Sequence, residues 1–281
     1  MDKVYIVTDS TSGVPEDIVQ SKNVKVLPLT IEFEGAVYKD GVDIDEPKLL
    51  EMLARGEELP KTSQVNPKSF LDEYEKLTSE GYKVISIHIS SGLSGTYQSA
   101  CIARDMMENS QDVFVVDSKG VSFATGALVL EAIKMLEGGM GVNETSKALE
   151  DLANRVRVAF AVDDLEYIRK GGRISSVHAA IGSLLNIKPI LSMSNGKIDV
   201  LDKVRGKKKA LNRMVEYIKE EGLETSLTTA VGNVAGERDM DIFVKKLEEE
   251  SLIGEYLNVS VGSVIATYAG PGTVGVFFFT K

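Results

Sequence analysis

Tryptophan is absent from the chain, and cysteine appears once, at Cys101, among 281 residues. One thiol cannot close an internal disulfide, so the fold rests on its own core and not on the cross-links of a small secreted scaffold. Histidine stands only at His88 and His178, and neither has Cys or His companions at the spacing a zinc site needs. No metal site is expected. No apolar stretch approaches the roughly 20 residues that span a bilayer, and the apolar run at 4–7 behind Met1-Asp2-Lys3 is too short for a signal peptide. Positive charge is in deficit: Lys and Arg total 32 against 42 Asp and Glu, a net charge of -10. That balance argues against phosphate-backbone binding as the main task, because nucleic-acid binders need a positive surface. It also repels an anionic membrane surface unless a local basic patch intervenes. The expectation is a cytoplasmic protein with no nucleic-acid partner and no stable membrane insertion. Any lipid it handles is enclosed.

What is present suits a sizeable core: 43% of residues are hydrophobic and 26% charged, ordinary for a globular protein. The length exceeds one average domain, so two domains are expected, with one large α/β domain as the alternative. Short β-branched runs alternate with helical patterns through the first half, which predicts a Rossmann-like α/β/α layer with a mainly parallel sheet. Strands are expected at 4–7, 24–29, 84–89 and 113–116, and a hairpin over 31–38. Helices are expected at 47–54, 67–79, 94–107, 121–136 and 143–154.

The character then changes. A strand at 156–162 leads to an apolar helix face on Ile174, Val177, Ile181, Leu184 and Leu185 at 3.6-residue spacing. Asn195-Gly196, between apolar runs at 190–193 and 198–204, suits the type I′ turn of a hairpin. Helices at 207–220 and 239–250, with strands at 227–231, 259–266 and 274–279, predict a C-terminal α+β domain with a mixed or antiparallel sheet. The division falls at 1–162 and 163–281, softly, because no linker composition marks it.

Several motifs carry chemistry, each beside a plainer account. In Ser90-Ser91-Gly92-Leu93-Ser94-Gly95-Thr96-Tyr97-Gln98-Ser99-Ala100 a strand ends, the chain turns and a helix begins. Such a helix start offers unpaired N–H groups and positive dipole character to an anion; Ser91 or Ser94 can equally serve as the helix cap. Gly92-Leu93-Ser94-Gly95-Thr96 does not fit the Gly-x-Ser-x-Gly nucleophile elbow. Lys61-Thr62-Ser63-Gln64, just before Pro67, reads alone as an N-cap cluster. Thr8-Asp9-Ser10-Thr11 follows the first strand, where α/β sheets place their ligands. Gly270-Pro271-Gly272-Thr273-Val274-Gly275 matches the letters of a dinucleotide fingerprint, but an apolar strand follows where that fingerprint needs a helix, so nucleotide binding is rejected.

Arg169-Lys170-Gly171-Gly172-Arg173 and Arg205-Gly206-Lys207-Lys208-Lys209 are basic clusters in an acidic chain. Either they are solvated helix ends, or they attract an acidic partner or an acyl anion. His88 and His178 read as packing or edge positions ahead of catalysis. Asp40, Asp43, Asp45 and Glu46 do not match a calcium loop.

Taken in order, these segments resemble the DegV family of bacterial fatty-acid-binding proteins. The series runs through Val7-Thr8-Asp9-Ser10-Thr11, Lys61-Thr62-Ser63-Gln64, the Ser90 to Ala100 segment, Val116-Asp117-Ser118 and Lys170-Gly171-Gly172-Arg173-Ile174. It continues with Lys188-Pro189-Ile190, Arg205-Gly206-Lys207-Lys208-Lys209-Ala210 and Gly270-Pro271-Gly272. The resemblance implies a two-domain α/β protein that encloses a long-chain fatty acid such as palmitate, stearate or oleate, with no cofactor and no enzymatic activity of its own. It implies that the hydroxyls of Thr62 and Ser94 bind the carboxylate. It further implies a partner, a fatty acid kinase, that converts the presented carboxylate to an acyl phosphate for phospholipid synthesis.

Ser63, Gly95, Thr96, Arg205 and Tyr268 are the further candidates for headgroup or partner contact. Many members carry a histidine two residues before the Gly-Pro-Gly turn, where this chain has Tyr268. A tyrosine still donates a hydrogen bond but is never a cation. Two other functions stay open on sequence: an acyl hydrolase or transferase with Ser94 as nucleophile, and a regulatory or scaffold protein whose lipid completes its core.

Overall fold

A computed structural model describes residues 2–55, 59–174 and 187–281. In the first half, β1 (Lys3–Asp9), α1 (Glu16–Ser21) and β2 (Val24–Leu27) lead to a hairpin of β3 (Thr30–Phe33) and β4 (Ala36–Lys39). Then come α2 (Glu46–Arg55), β5 (Lys61–Ser63), α3 (Pro67–Ser79), β6 (Tyr82–His88), α4 (Thr96–Asp105), β7 (Val113–Asp117), α5 (Phe123–Glu137) and α6 (Val142–Arg155). The second half holds β8 (Val156–Ala161), α7 (Glu166–Gly171), β9 (Ile187–Ser194), β10 (Lys197–Arg205) and α8 (Lys207–Glu221). It closes with β11 (Ala230–Val234), α9 (Glu237–Glu249), β12 (Leu257–Ser260), α10 (Ser263–Ala269) and β13 (Thr273–Phe279).

The first sheet has strand order β2-β1-β6-β7 and is parallel throughout. Ile6, Val7, Thr8 and Asp9 of β1 are all buried, as expected where helices cover both faces of a parallel sheet. The second sheet runs β10-β9-β8-β13-β11-β12 and is mixed, with β11 and β12 parallel and the other pairs antiparallel. A small antiparallel sheet, β4-β3-β5, stands apart. The α/β class with a parallel and a mixed sheet is therefore the observed architecture.

Local chemistry explains the elements that position the site. Asn66 starts α3, its Oδ1 accepting the Ser69 N–H at 2.9 Å, with Pro67 in the first turn. Phe70, Leu71, Tyr74 and Leu77 then bury one stripe of that helix. Asn195 and Gly196 both have positive φ, 49° and 73°, the requirement of the type I′ turn that joins β9 to β10.

Four expectations change. The stretch at 259–266 is not one strand: β12 stops at Ser260, and α10 begins at Ser263 after Gly262, whose φ is 80°. Lys61-Thr62-Ser63 is not a cap but β5, hydrogen-bonded to β3; Asn66 does the capping. The strand expected at 227–231 lies at 230–234, as β11. Finally, β8 precedes the soft boundary at Val162 yet pairs with β9 and β13 in the second sheet. Of the apolar helix face, Ile174 is buried, while Val177, Ile181, Leu184 and Leu185, with His178, lie outside the described residues.

The two sheets share their core. Ile6, Ile85 and Ile87 of the first pack in one cluster with Phe160, Ala230 and Phe277 of the second. A second cluster joins Val7 and Val84 to Val234, Val261 and Val264. A third belongs to the second half alone, where α8 and α9 cover the far face of the mixed sheet.

Candidate functional site

A cavity of about 210 Å³ opens where the carboxyl ends of the parallel strands meet the mixed sheet, the position in which open α/β sheets gather ligands. Loops that follow β6 and β7 contribute Ile89, Leu93 and Val121; β8 and β13 contribute Val158, Phe160 and Phe277; and α10 contributes Val264, Ile265 and Ala269. The walls are mostly apolar, as in ligand pockets generally. The region is not filled solidly by side chains.

Three polar side chains stand together on the wall. Thr62 of β5 and Tyr268 of α10 are hydrogen-bonded hydroxyl to hydroxyl. The Arg173 guanidinium lies 4.7 Å above the Tyr268 ring, a cation–π contact. Thr62, Tyr268 and Arg173 also line an outer recess of about 510 Å³ with Lys61 and Lys170. These three residues therefore form the mouth, reached from the outside and from the cavity.

Ser94 lines the same cavity. Its Oγ shares a hydrogen bond with Thr96 Oγ1 at 2.9 Å and accepts the Thr96 N–H at 3.2 Å. It thus supports the first turn of α4 while facing the ligand space. Gly95 is needed here for close approach: a Cβ would fall 2.0 Å from Gln64 Oε1, and Gln64 Nε2 donates to Ser99 Oγ at 2.8 Å. These contacts lock the residue after β5, the strand that carries Thr62, onto the start of α4 and the loop that carries Ser94. Gly92 plays the matching part on the other side. A Cβ there would meet Gly196 O at 2.4 Å, and Ser90 Oγ donates to that carbonyl at 2.6 Å, so the β9–β10 turn docks on the same loop.

Beneath the loop lies a buried polar chain. Asp9 Oδ2 accepts the Ile89 N–H at 3.1 Å and meets His88 Nδ1 at 3.0 Å. His88 Nε2 meets Ser86 Oγ at 2.6 Å, and Ser86 Oγ meets the Tyr74 hydroxyl at 2.6 Å. Asp9, Tyr74, Ser86 and His88 are fully buried. Burial in an apolar surround raises the Tyr74 phenol far above its ordinary range, so it stays protonated. His88 is a packed, satisfied residue here, and its ring partners are Asp9 and Ser86, not Ser94.

Of the sequence candidates, Thr62, Ser94, Gly95 and Tyr268 line the cavity. Thr96 is buried behind Ser94. Ser63 is exposed at the end of β5 and does not line the cavity. Arg205 is exposed at the end of β10, opposite Ile187, and lines neither the cavity nor the recess. The basic clusters divide. Arg169 pairs with Glu166, while Lys207 and Lys188 both reach Asp163 Oδ1 at 3.0 Å. Burial raises the Asp163 carboxyl, but hydrogen bonds from Lys207 and Lys188 outweigh it, and the group lies below the usual carboxylate range. Lys207 also donates to the Gly272 carbonyl, so this cluster latches the Gly-Pro-Gly turn. Arg173, within the first basic cluster, is the member that reaches the mouth. Phe160 and Phe277 carry no signal in sequence beyond their apolar strands.

Among the described residues no cluster of three His, Cys, Asp or Glu side chains could hold a metal ion, and no helix is long and apolar enough to cross a membrane. A family model described as an uncharacterised protein of the DegV family matches residues 3–281. The chain is 40% identical over 281 residues to a DegV domain-containing protein of Clostridium acetobutylicum, with 100% of both chains covered. A structure reporting fatty acid binding of a DegV family protein from Thermus thermophilus superposes with a TM-score of 0.91 at 32% identity, covering 99% of this chain and 100% of that one. DegV of Bacillus subtilis, a fatty acid binding protein, superposes with a TM-score of 0.87 at 33% identity, and all of both chains is covered. Matched from end to end by the family model and by relatives of this identity, the chain belongs to the DegV family.

Proposed function

We propose that this protein binds a long-chain fatty acid, with the tail in the cavity and the carboxylate at the mouth, and presents that carboxylate to a fatty acid kinase. One observation carries the reading: a mostly apolar cavity that shares Thr62, Arg173 and Tyr268 with an outer recess. Thr62 and Tyr268, bonded to each other, use one of their two hydroxyl protons between them. A carboxylate only accepts hydrogen bonds, so in the mouth it would take the one free proton while that bond holds, and one from each hydroxyl once it opens. Ser94, on the same cavity, is a third donor. The guanidinium of Arg173 adds positive potential beside Tyr268.

Magnitudes assign the roles. An acyl tail gains on the order of 0.8 kcal/mol per buried methylene, roughly ten for a long chain. A hydrogen bond to a charged group adds about 1.5–3 kcal/mol. The tail supplies the affinity; the hydroxyls fix which end faces out. The kinase reading draws on the family resemblance and on the recess outside Thr62, Arg173 and Tyr268, through which a partner's site can approach the headgroup. A hydrolase reading gains nothing from the site, because the Ser94 hydroxyl is bonded to Thr96 and not to a base.

Native mass spectrometry of the purified protein, followed by lipid extraction, tests the binding step. The expected result is a mass increment equal to one long-chain fatty acid, lost on delipidation and restored by oleate. Protein that takes up no oleate after delipidation refutes the reading. Incubation of the loaded protein with a bacterial fatty acid kinase and ATP, with hydroxylamine to trap acyl phosphate, tests the transfer step.

A further inference from the structure

The end of α7 is shaped around one side chain of the mouth. Gly171 is the last residue of α7, and Gly172, with a φ of 70°, turns the chain behind it. Gly171 itself lies outside the positive-φ region, so its backbone does not call for glycine, and alanine is the better helix former. What calls for glycine is Tyr268 of α10. A Cβ on Gly171 would fall 2.2 Å from Tyr268 Cδ1 and 2.7 Å from Cε1, where ordinary contact begins at 3.4 Å. The tyrosine ring occupies the space of the missing methyl.

Two further contacts hold that ring. Arg173, two residues beyond Gly171, sets its guanidinium 4.7 Å from the ring centre and donates to the Gly171 carbonyl. The ring hydroxyl bonds Thr62. The neighbouring backbone is pinned too. Tyr167, one turn before Gly171, packs against Gly270, the C-cap of α10, where a Cβ would fall 2.5 Å from its Cδ2. Beyond Gly270, Lys207 donates to the Gly272 carbonyl, and a Cβ on Gly272 would fall 2.2 Å from Asp163 Oδ2. A methyl on Gly171 therefore displaces the ring sooner than the helices. Swinging the ring aside carries its hydroxyl off Thr62, and a hydrogen bond weakens steeply outside its geometry. Rotating the ring about its own axis keeps the hydroxyl in place but turns the face away from Arg173, where the cation–π attraction is lost.

We propose that Gly171 is a positioning residue for the headgroup: by leaving out a methyl it seats Tyr268 against both Thr62 and Arg173, and so sets the preference of the mouth for a carboxylate over an uncharged end. Gly171 brings no group of its own to the ligand and acts through Tyr268. The inference rests on the fatty-acid reading and adds a specificity-determining residue to it.

Oleate and methyl oleate share a tail, and only oleate is charged, so the ratio of their affinities reads the mouth alone. Each competes with a fluorescent fatty acid for delipidated wild type, Gly171→Ala, Tyr268→Ala and the double variant. Gly171→Ala should lower the preference for oleate about tenfold, the effect of one hydrogen bond to a charged group, and bind methyl oleate as wild type does. Tyr268→Ala should lower the preference alike, and adding Gly171→Ala to it should change nothing further. Thermal stability follows the same logic with a change of sign. Gly171→Ala should lower Tm by about 2–10 °C where the ring is present, and hold or raise it where the ring is gone, since alanine then only favours the helix. Should Gly171→Ala fail to fold, the other two variants decide: both must fold, the double no less stable than Tyr268→Ala, and both must show the lowered preference.

The proposal is overturned if Gly171→Ala leaves the preference unchanged, or weakens oleate and methyl oleate alike, as a merely structural role would. It is equally overturned if the preference falls further when Gly171→Ala is added to Tyr268→Ala, or if the double variant is less stable than Tyr268→Ala. Wild type that binds no oleate overturns the fatty-acid reading and this inference together. Wild type that binds oleate and methyl oleate equally overturns the carboxylate role of the mouth, and the inference with it, while leaving the tail in the cavity.

Discussion

In the proposed function the hydroxyls of Thr62, at the mouth, and Ser94, on the cavity wall, share one job, and their replacement separates affinity from direction. Thr62→Ala or Ser94→Ala removes about 1.5–3 kcal/mol of headgroup interaction against roughly ten from the tail. The expected outcome is protein that still co-purifies with lipid by native mass spectrometry but yields less acyl phosphate with the kinase. Loss of all lipid from a folded single variant would show that the weighting is inverted. Tyr268→His probes the departure from the family's usual residue. Histidine gains a proton below its ordinary value of about 6.5, and the imidazolium attracts a carboxylate. Oleate affinity of this variant should therefore rise as pH falls from about 8 to about 6, more steeply than that of wild type. Parallel pH profiles for the two proteins would place the carboxylate away from Tyr268. The positions of Thr62, Ser94 and Tyr268 on the cavity were legible only through the resemblance of the ordered motifs to a family, since alone the Thr62 and Ser94 segments read as helix caps. Gln64 and Arg173 were not, because their roles depend on what packs against them: Gln64 on the missing Cβ of Gly95, and Arg173 on the ring of Tyr268.

The least legible element was α10. Val261, Val264, Ile265 and Thr267 are β-branched, and with β12 before them they read as a strand. One influence on this helix start comes from elsewhere in the chain. Asp40, beyond β4, is buried close to the start of α10, where Ser10, Ser263 and Val264 act on its carboxyl, while its Oδ2 has no hydrogen-bond partner among the described residues. It stands at the end of α10 where unpaired N–H groups gather. No reading of residues 259–266 alone could find that neighbour. Strands such as β6 and β13 and helices such as α3 were legible because their apolar periodicity and caps are local.

Asp40 also sets a pH dependence. Burial, the largest influence, raises its carboxyl above the ordinary value of 3.8, and Ser10, Ser263 and Val264 only partly oppose that. The folded protein then holds this proton more tightly than the unfolded chain. Its contribution to stability is greatest below the unfolded value and is lost as pH rises through the folded one. Asn at this position does not titrate. Urea midpoints at about pH 7 and at a pH near the ordinary value of 3.8 should therefore show wild type gaining on Asp40→Asn as the solution is acidified. A gap that stays constant, or moves the other way, would mean that the Asp40 carboxylate is not desolvated in the fold.

The whole molecule turns the cavity into a joint between its two sheets. Ile6 and Ile87 share a cluster with Phe160 and Phe277, and the last two also line the cavity. A tail that fills the cavity therefore adds contacts to both sheets at once. We expect one cooperative thermal transition, not separate melting of the parallel and mixed sheets, because neither sheet keeps its buried face covered when the other unfolds. Ligand that binds only the folded state raises stability by RT ln(1 + [L]/Kd), about 2.7 kcal/mol at a hundredfold excess over Kd. For a chain of this size that is a rise in Tm of about 5–10 °C. Each added methylene that enters the cavity tightens binding by on the order of 0.8 kcal/mol, so at fixed ligand concentration the rise should grow with chain length from octanoate upward. It should stop growing at the length whose terminal methyl reaches the wall formed by β8 and β13, since further carbons have no apolar surface left to cover. Differential scanning calorimetry of delipidated protein with a saturated acid series measures both features. A Tm rise that does not depend on chain length would place the binding energy in the headgroup and leave the cavity without a role.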